Sequence, residues 1–486
     1  MKPPPLDPLD SAFITLESPG APLNIAAILE LDHPASGPVD PITTFNEIRD
    51  LVASRLHEVP KLTKRILRVP FDLAWPVWVE DPEFDVDEHV LRRACPSPGG
   101  EAELDALVGR IMATELPPDR PLWEISVVEG LAHGRTALII KIHHALADGV
   151  SGAATFAGLF DISPDVRAAS PRPAALDEPH EPLPTPLELL GRTAGELIRR
   201  PQALLEAVAS GIEQAAAVLE RSIRPADPAN AGAVSMFSAA TTSLNGTPSH
   251  ARRFTRLHLD LGEVKIAAKQ RGATVTDFVM CTVGGALRRL LEGRDELAQR
   301  DLVAFMPVNV RREGAEGDLG NRISAVLVAM HSVIEDPEER LRALSEASRA
   351  RKAAKSDSSK LLMNLAAAVG PTVASLAGQT LYDLELFNDL PPVANVTVSS
   401  VPGPPIPLWM AGRHVTTAAP MGPLMAGIAL NITVLGYGGL LEYGVLACAK
   451  KLPDLTELRE LLEDEANQLL KGPVPDEHED SVALVR

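Results

Sequence analysis

Basic charge, cysteine and unbroken apolar runs are all scarce in this 486-residue chain. Lys and Arg number 46 against 65 Asp and Glu, a formal net charge of −19 at pH 7. Phosphate backbones are bound through a basic footprint, so this balance argues against a nucleic-acid partner. It leaves room for a small anionic ligand, which needs only a local group of Lys and Arg. It also predicts weak bulk attraction to anionic lipid, so any membrane contact should rest on apolar surface or a local basic patch. The three cysteines, Cys95, Cys281 and Cys448, lie far apart and form no CxxC. A cysteine zinc cluster and a disulfide framework are thereby excluded, in keeping with a reducing cytoplasm. The opening Met1-Lys2-Pro3-Pro4-Pro5-Leu6-Asp7 has no apolar h-region, so no signal peptide is expected. Two stretches without charge, 361–382 and 415–441, invite a transmembrane reading. The first contains Gly370, Pro371 and Gln379; the second is broken by Pro420, Gly422, Pro423, Gly427, Asn431 and Gly436. Neither is the uninterrupted apolar span of about 20 residues that crosses a bilayer. The second reads as buried strands and loops, the first as a helix pair at a surface or lipid interface.

What is present is ordinary globular material, 45% hydrophobic and 23% charged. The length exceeds what one hydrophobic core accommodates, which predicts two domains. Residues 23–31, 123–128 and 137–142 read as strands, and 41–56 and 101–116 carry helical spacing. Residues 161–186 are dense in Pro, Ala, Asp and Glu, a linker composition, and 187–223 return to helical spacing. A second α/β unit follows, with strands expected at 254–261, 302–309, 323–331, 394–400, 428–435 and 440–447. Helices are expected at 263–271, 275–291, 337–354 and 454–470. The organisation predicted is an N-terminal half over 1–165, a Pro/Ala-rich linker with helices over 166–250, a C-terminal half over 251–472 and an acidic flexible tail over 473–486.

The strongest chemical signal is His143-His144-x-x-x-Asp148-Gly149 at the end of an apolar strand. An alcohol is a poor nucleophile at neutral pH, and a neutral imidazole can accept its proton as attack occurs. The ordinary imidazole pKa of about 6.5 suits a general base. A thioester is already activated, so acyl transfer from it to a hydroxyl needs neither a metal nor a covalent serine intermediate. Plainer readings stand beside this one. A lone histidine at a strand end is commonly a satisfied structural residue. A metal site lacks a companion cluster of His or carboxylate. A serine hydrolase would need a nucleophile elbow, and Gly149-Val150-Ser151-Gly152-Ala153 is not G-x-S-x-G.

An ordered series of further motifs decides among these. Leu9-Asp10-Ser11-Ala12-Phe13, Glu17 and Pro22-Leu23-Asn24-Ile25 open it, and Pro76-Val77-Trp78-Val79 and Asp85-Val86-Asp87-Glu88-His89-Val90 follow. Pro121-Leu122-Trp123-Glu124 precedes the His-His strand. Beyond the linker come Leu244-Asn245-Gly246, Arg252-Arg253-Phe254, Pro307-Val308-Asn309-Val310-Arg311 and Gly320-Asn321-Arg322. Asn395-Val396, Val401-Pro402-Gly403-Pro404 and Leu430-Asn431-Ile432-Thr433 complete it. From about Leu6 to Leu452 the chain resembles the bacterial wax ester synthase/diacylglycerol acyltransferase family. The resemblance implies an α/β fold of two chloramphenicol-acetyltransferase-like domains, mixed sheets with packed helices joined by a crossover linker, with the active site in a channel between them. It implies acyl-CoA as a substrate, no cofactor, and diacylglycerol or a long-chain alcohol as acceptor. It also implies a cytoplasmic enzyme that meets its lipids at a membrane or lipid-droplet surface.

On this resemblance His144 is the general base, His143 its mostly structural neighbour, and Asp148 and Gly149 shape the loop. Asn431 and Thr433 would line the channel, and Arg322 would pair with a buried carboxylate or hold the CoA end. Two positions depart from the family pattern. Thr276-Asp277 stands where the family usually has Asn-Asp, leaving Thr276 to act as a helix N-cap. Asn24 stands where the family often has His. Both bear on substrate preference more than on chemistry. Lys61, Lys64, Arg65 and Arg68, and Arg252 with Arg253, are candidate CoA-phosphate ligands, with a solvated face as the plainer reading. Trp78, Trp123 and Trp409 read as packing residues. Two rivals remain on the same fold, a condensation-type enzyme acylating an amine and a non-catalytic lipid-binding protein. A glycerol-phosphate acyltransferase shares only the H-x4-D spacing of His143 and Asp148.

Overall fold

The computed structural model describes residues 4–18, 20–34, 37, 39–146, 156, 158–171, 182–191, 234, 237–296, 300–309, 323–354, 380 and 382–472. Thr-Ala-Leu-Ile-Ile-Lys-Ile-His is apolar at both parities, the pattern of a strand covered on both faces. It forms β6 (Thr136–His143) near the middle of the first sheet. Leu138, Ile140 and Ile142 join one core, and Ala137 and Ile139 join another. Each such aliphatic side chain withdrawn from water contributes about 1.5–3 kcal/mol. Lys141 shares the second face and is buried. Its Nζ donates to the carbonyls of Ile111 and Thr114 at 2.9 and 2.5 Å, and burial pushes its pKa down to about 8.

On either side of β6 lie β1 (Asn24–Leu31) and β5 (Trp123–Glu129), both antiparallel to it, with β4 (Val90–Ala94) parallel to β5 at the edge. The other edge is supplied from far along the chain. β12 (Trp409–Met410) and β13 (Arg413–Met421) complete the order β12-β13-β1-β6-β5-β4, with Ala26 opposite Met421 and Leu31 opposite Val415. Residues 409–421, within the C-terminal stretch 251–472, thus belong to the N-terminal sheet. They cover β1, whose apolar length would otherwise be an open edge with unpaired backbone groups.

The second sheet runs β10-β9-β11-β15-β16-β8. Its strands are β8 (Arg252–Asp260), β9 (Val303–Asn309), β10 (Ile323–Ala329), β11 (Val396–Val401), β15 (Leu430–Tyr437) and β16 (Leu440–Cys448). A helix spanning Val275–Glu292 packs Phe278, Val279, Val283, Ala286 and Leu287 into its core. Arg340 and Glu465 form a buried ion pair beside it, with Arg340 also donating to the carbonyls of Cys281, Ile334 and Glu335.

The two halves meet through α3 (Glu101–Ala113), β1 and β13 on one side and β8 and β16 on the other. Ile28, Leu104, Val108 and Ile139 pack there with Phe254 and Leu446. Arg256 of β8 crosses the junction to Glu30 at 2.6 Å and Asp105 at 3.3 Å. Among the described residues no helix is long and apolar enough to cross a membrane. Most of 361–382, much of the linker and the tail 473–486 lie outside the described residues.

Candidate active site

The end of β6 places the two histidines differently. Asn24 and His143 face each other across β1 and β6, and the His144 N–H donates to the Leu23 carbonyl at 2.9 Å. That bond makes Asn24–His143 the close, non-hydrogen-bonded kind of pair, whose side chains are neighbours on one face. His143 is buried. Its Nδ1 accepts the Ala145 N–H at 3.0 Å, which leaves its proton on Nε2, 3.5 Å from Glu17 Oε2. Burial alone would raise the Glu17 carboxyl. The neighbouring His143 ring, the Leu23 N–H at 3.0 Å and Arg68 outweigh it and hold that carboxyl below the usual range. With Nδ1 holding the Ala145 N–H and Nε2 buried beside the Glu17 carboxylate, His143 fixes the turn after β6.

His144 is only half-buried. Its ring stacks on Phe13 of α1 (Pro8–Leu16) at 4.1 Å between centroids and 18° between planes. Backbone and ring are therefore both held while part of the residue stays exposed; Nδ1 is buried, so a bound hydroxyl would meet the ring at Nε2. Asn24 is fully buried, and neither of its amide atoms meets a hydrogen-bond partner among the described residues.

The remaining sequence candidates divide. Asp148, Gly149 and Arg322 lie outside the described residues. Asn431 and Thr433 sit together on β15, buried. Thr433 Oγ1 donates to Asn431 Oδ1 at 2.8 Å, and Asn431 Nδ2 to the Pro423 carbonyl at 2.9 Å. They knit the loop leaving β13 to the second sheet. The cap of the helix at 275 is a correction: the N-cap is Thr274, not Thr276. Asp277 Oδ2 accepts from Thr274 N at 2.9 Å while Thr274 Oγ1 accepts from Asp277 N at 3.2 Å, so a reciprocal box occupies this carboxylate.

The expected basic ligands are engaged elsewhere. Lys64 pairs with Glu80, Arg68 with Asp72, and Arg65 donates to the Asp119 carbonyl; Lys61 reaches the Leu146 carbonyl at 3.5 Å. Arg252 is buried on the Gly20 carbonyl, and Arg253 donates to that of Pro453. Trp123 is a packing residue as expected, buried with its Nε1 on the Leu62 carbonyl. Glu17 and Phe13 were legible only as motif members, because their roles depend on meeting His143 and His144 in space. A buried histidine still signals that some partner must exist.

A paired-histidine strand end on two six-stranded mixed sheets with packed helices is the architecture of chloramphenicol-acetyltransferase-like acyltransferases. Solved structures agree. A wax ester synthase/diacylglycerol acyltransferase from Marinobacter aquaeolei VT8 superposes with a TM-score of 0.68 at 26% identity, covering 96% of this chain and 98% of that one. The first condensation domain of the calcium-dependent antibiotic synthetase shares the fold at a TM-score of 0.55 and 19% identity, covering 98% of this chain and 97% of that one. In sequence, the wax ester synthase/diacylglycerol acyltransferase catalytic domain matches residues 6–279, and the C-terminal domain of that family matches 319–470. O-acyltransferase WSD of Acinetobacter baylyi is 30% identical, with 97% of each chain covered. A Mycobacterium tuberculosis protein named as a diacylglycerol O-acyltransferase is also 30% identical, over 98% of this chain and 93% of its own. The chain belongs to the wax ester synthase/diacylglycerol acyltransferase family and is an acyltransferase.

Proposed function

We propose that the protein transfers a fatty acyl group from acyl-CoA to the hydroxyl of diacylglycerol or a long-chain alcohol, with His144 as general base and without a cofactor. The observation that carries this reading is the contrast at the end of β6. His143 is buried with Nδ1 on the Ala145 N–H and Nε2 3.5 Å from Glu17, while His144 is held by Phe13 and the Leu23 carbonyl and is only half-buried. His144 takes the hydroxyl proton as the oxygen attacks the thioester carbonyl. The tetrahedral adduct collapses with cleavage of the C–S bond, and the imidazolium returns its proton to the thiolate. The products are free CoA and a neutral ester, either triacylglycerol or wax ester. Acceptor is supplied at a peripheral membrane or lipid-droplet surface; the exposed Phe71 and Leu73 are apolar surface suited to such an interface.

The test is CoA release from palmitoyl-CoA with dioleoylglycerol or hexadecanol offered separately. General-base assistance is worth about 10²–10⁴-fold, so His144→Ala should lose at least about a hundredfold of acceptor-dependent release while keeping its circular dichroism. Release within a few-fold of wild type would remove His144 from that role.

A further inference from the structure

Two adjoining cavities of about 430 and 300 Å³ open beside the second sheet, sharing Thr241, Asn388 and Leu390. Arg300 lines the larger, and Lys450 and Lys451 line the smaller. The larger also contains Asp389, whereas no carboxylate lines the smaller. Among the described residues, neither Lys450 nor Lys451 forms an ion pair, although acid outnumbers base in the chain. Most candidate ligands proposed from the sequence, by contrast, already hold carboxylates or carbonyls. The backbone favours convergence here. Gly246 has φ +114, and a methyl group added to it would stand 2.9 Å from Lys451 Nζ and collide with Asn388 Oδ1. Only glycine lets the chain pass so close beneath the lysine head.

The cavity wall is also tied to the histidine strand. Asn388 Oδ1 accepts from the Thr247 N–H at 3.0 Å, and Tyr382 donates to the Pro248 carbonyl. Arg252 then reaches the Gly20 carbonyl at 2.6 Å, in the turn between α1 and β1. That same turn carries Glu17 to His143 and leads into Leu23, which accepts from the backbone of His144.

We propose that Lys450 and Lys451 in the smaller cavity bind phosphate groups of the acyl donor's nucleotide. This rests on the acyl-CoA reading above. Two ammonium groups without carboxylate partners meet an entering phosphate as charge-assisted donors, with no internal ion pair to break first. The Thr241 hydroxyl offers a further neutral donor at the wall, whereas that of Thr242 is already given to Asn245 Oδ1.

The experiment compares two donors that share the thioester and differ in the nucleotide, palmitoyl-CoA and palmitoyl-pantetheine, with hexadecanol as acceptor. Loss of two charge-assisted contacts is worth about tenfold or more in affinity. Lys450→Ala/Lys451→Ala should therefore raise KM for palmitoyl-CoA by about that factor, leave kcat within about twofold, and leave KM for palmitoyl-pantetheine unchanged. Calorimetric binding of adenosine 3′,5′-bisphosphate should weaken by the same factor, and Lys450→Arg/Lys451→Arg should restore it. An equal KM change for both donors, or unchanged bisphosphate binding, overturns the site. If wild type uses palmitoyl-pantetheine but not palmitoyl-CoA, or neither donor, the donor reading fails, while the bisphosphate titration still decides whether the cavity binds phosphate.

Discussion

Asp105 offers a test of how the two halves are joined. It lies on α3, buried at the junction, with Arg256 Nε 3.3 Å from its Oδ1 but not in hydrogen-bonding geometry. Arg256 is already committed to Glu30 at 2.6 Å, so one guanidinium serves two carboxylates. Burial accordingly pushes Asp105 from 3.8 to about 7, against the pull of Arg256. The folded chain keeps this proton until near neutrality, whereas the unfolded chain releases it near pH 4. Unfolding therefore releases a proton between these values, and stability falls as pH rises through that window, then levels off. At about 1.36 kcal/mol for each tenfold change in the protonation equilibrium, moving from 3.8 to about 7 makes the ionised side chain unfavourable by up to about 4 kcal/mol. Asp105→Asn removes the titration and leaves Arg256 its Glu30 partner. Urea midpoints at pH 5, 6, 7 and 8 should show the variant more resistant than wild type at pH 8, with the advantage shrinking toward pH 5. A difference that is constant with pH, or that grows in acid, would refute the reasoning.

The paired histidines and the buried charges yield further expectations. His143→Ala strands the Ala145 N–H, at about 1–3 kcal/mol for an unpaired buried group, so both Tm and kcat should fall. His143→Asn, which retains an acceptor for that N–H, should recover much of the loss; equal losses in the two variants would show that the Nδ1 contact does not organise the turn. Arg340→Met leaves buried Glu465 only the Arg289 guanidinium at 3.5 Å, and losing a buried partner costs up to about 3–5 kcal/mol. Arg340→Met/Glu465→Leu should recover most of the Tm, and an unchanged Tm in the single variant would contradict a buried pair. Thr433→Val removes the hydroxyl that donates to Asn431 Oδ1. A stability loss of about 1 kcal/mol in urea is expected, and no loss would show that Asn431 is held without it.

Local pattern determined a good deal by itself. The two-parity apolar run of 137–142 made a doubly covered strand, and its position made the following histidines a strand end. The length pointed to two α/β units, and the ordered motifs named the family. Within α helices the limits were close, as at Thr456–Lys471 against the expected 454–470. The cap shifted from Thr276 to Thr274 because reciprocal capping is fixed by the three-residue spacing to Asp277. Tertiary structure alone decided the rest, since it depends on contacts between residues remote in sequence. Nothing local sends 413–421 to the N-terminal sheet; pairing with β1 does so by covering an otherwise open edge. Glu17 became the partner of His143, and Phe13 that of His144, only because α1 folds over the end of β6. The cations were sorted in the same way. Charge spacing made Lys61, Lys64, Arg65, Arg68, Arg252 and Arg253 look free, but folding gave those residues internal partners and left Lys450 and Lys451 at a cavity wall. An ionic side chain's availability is set by whatever charge folds against it, which the order of residues does not state.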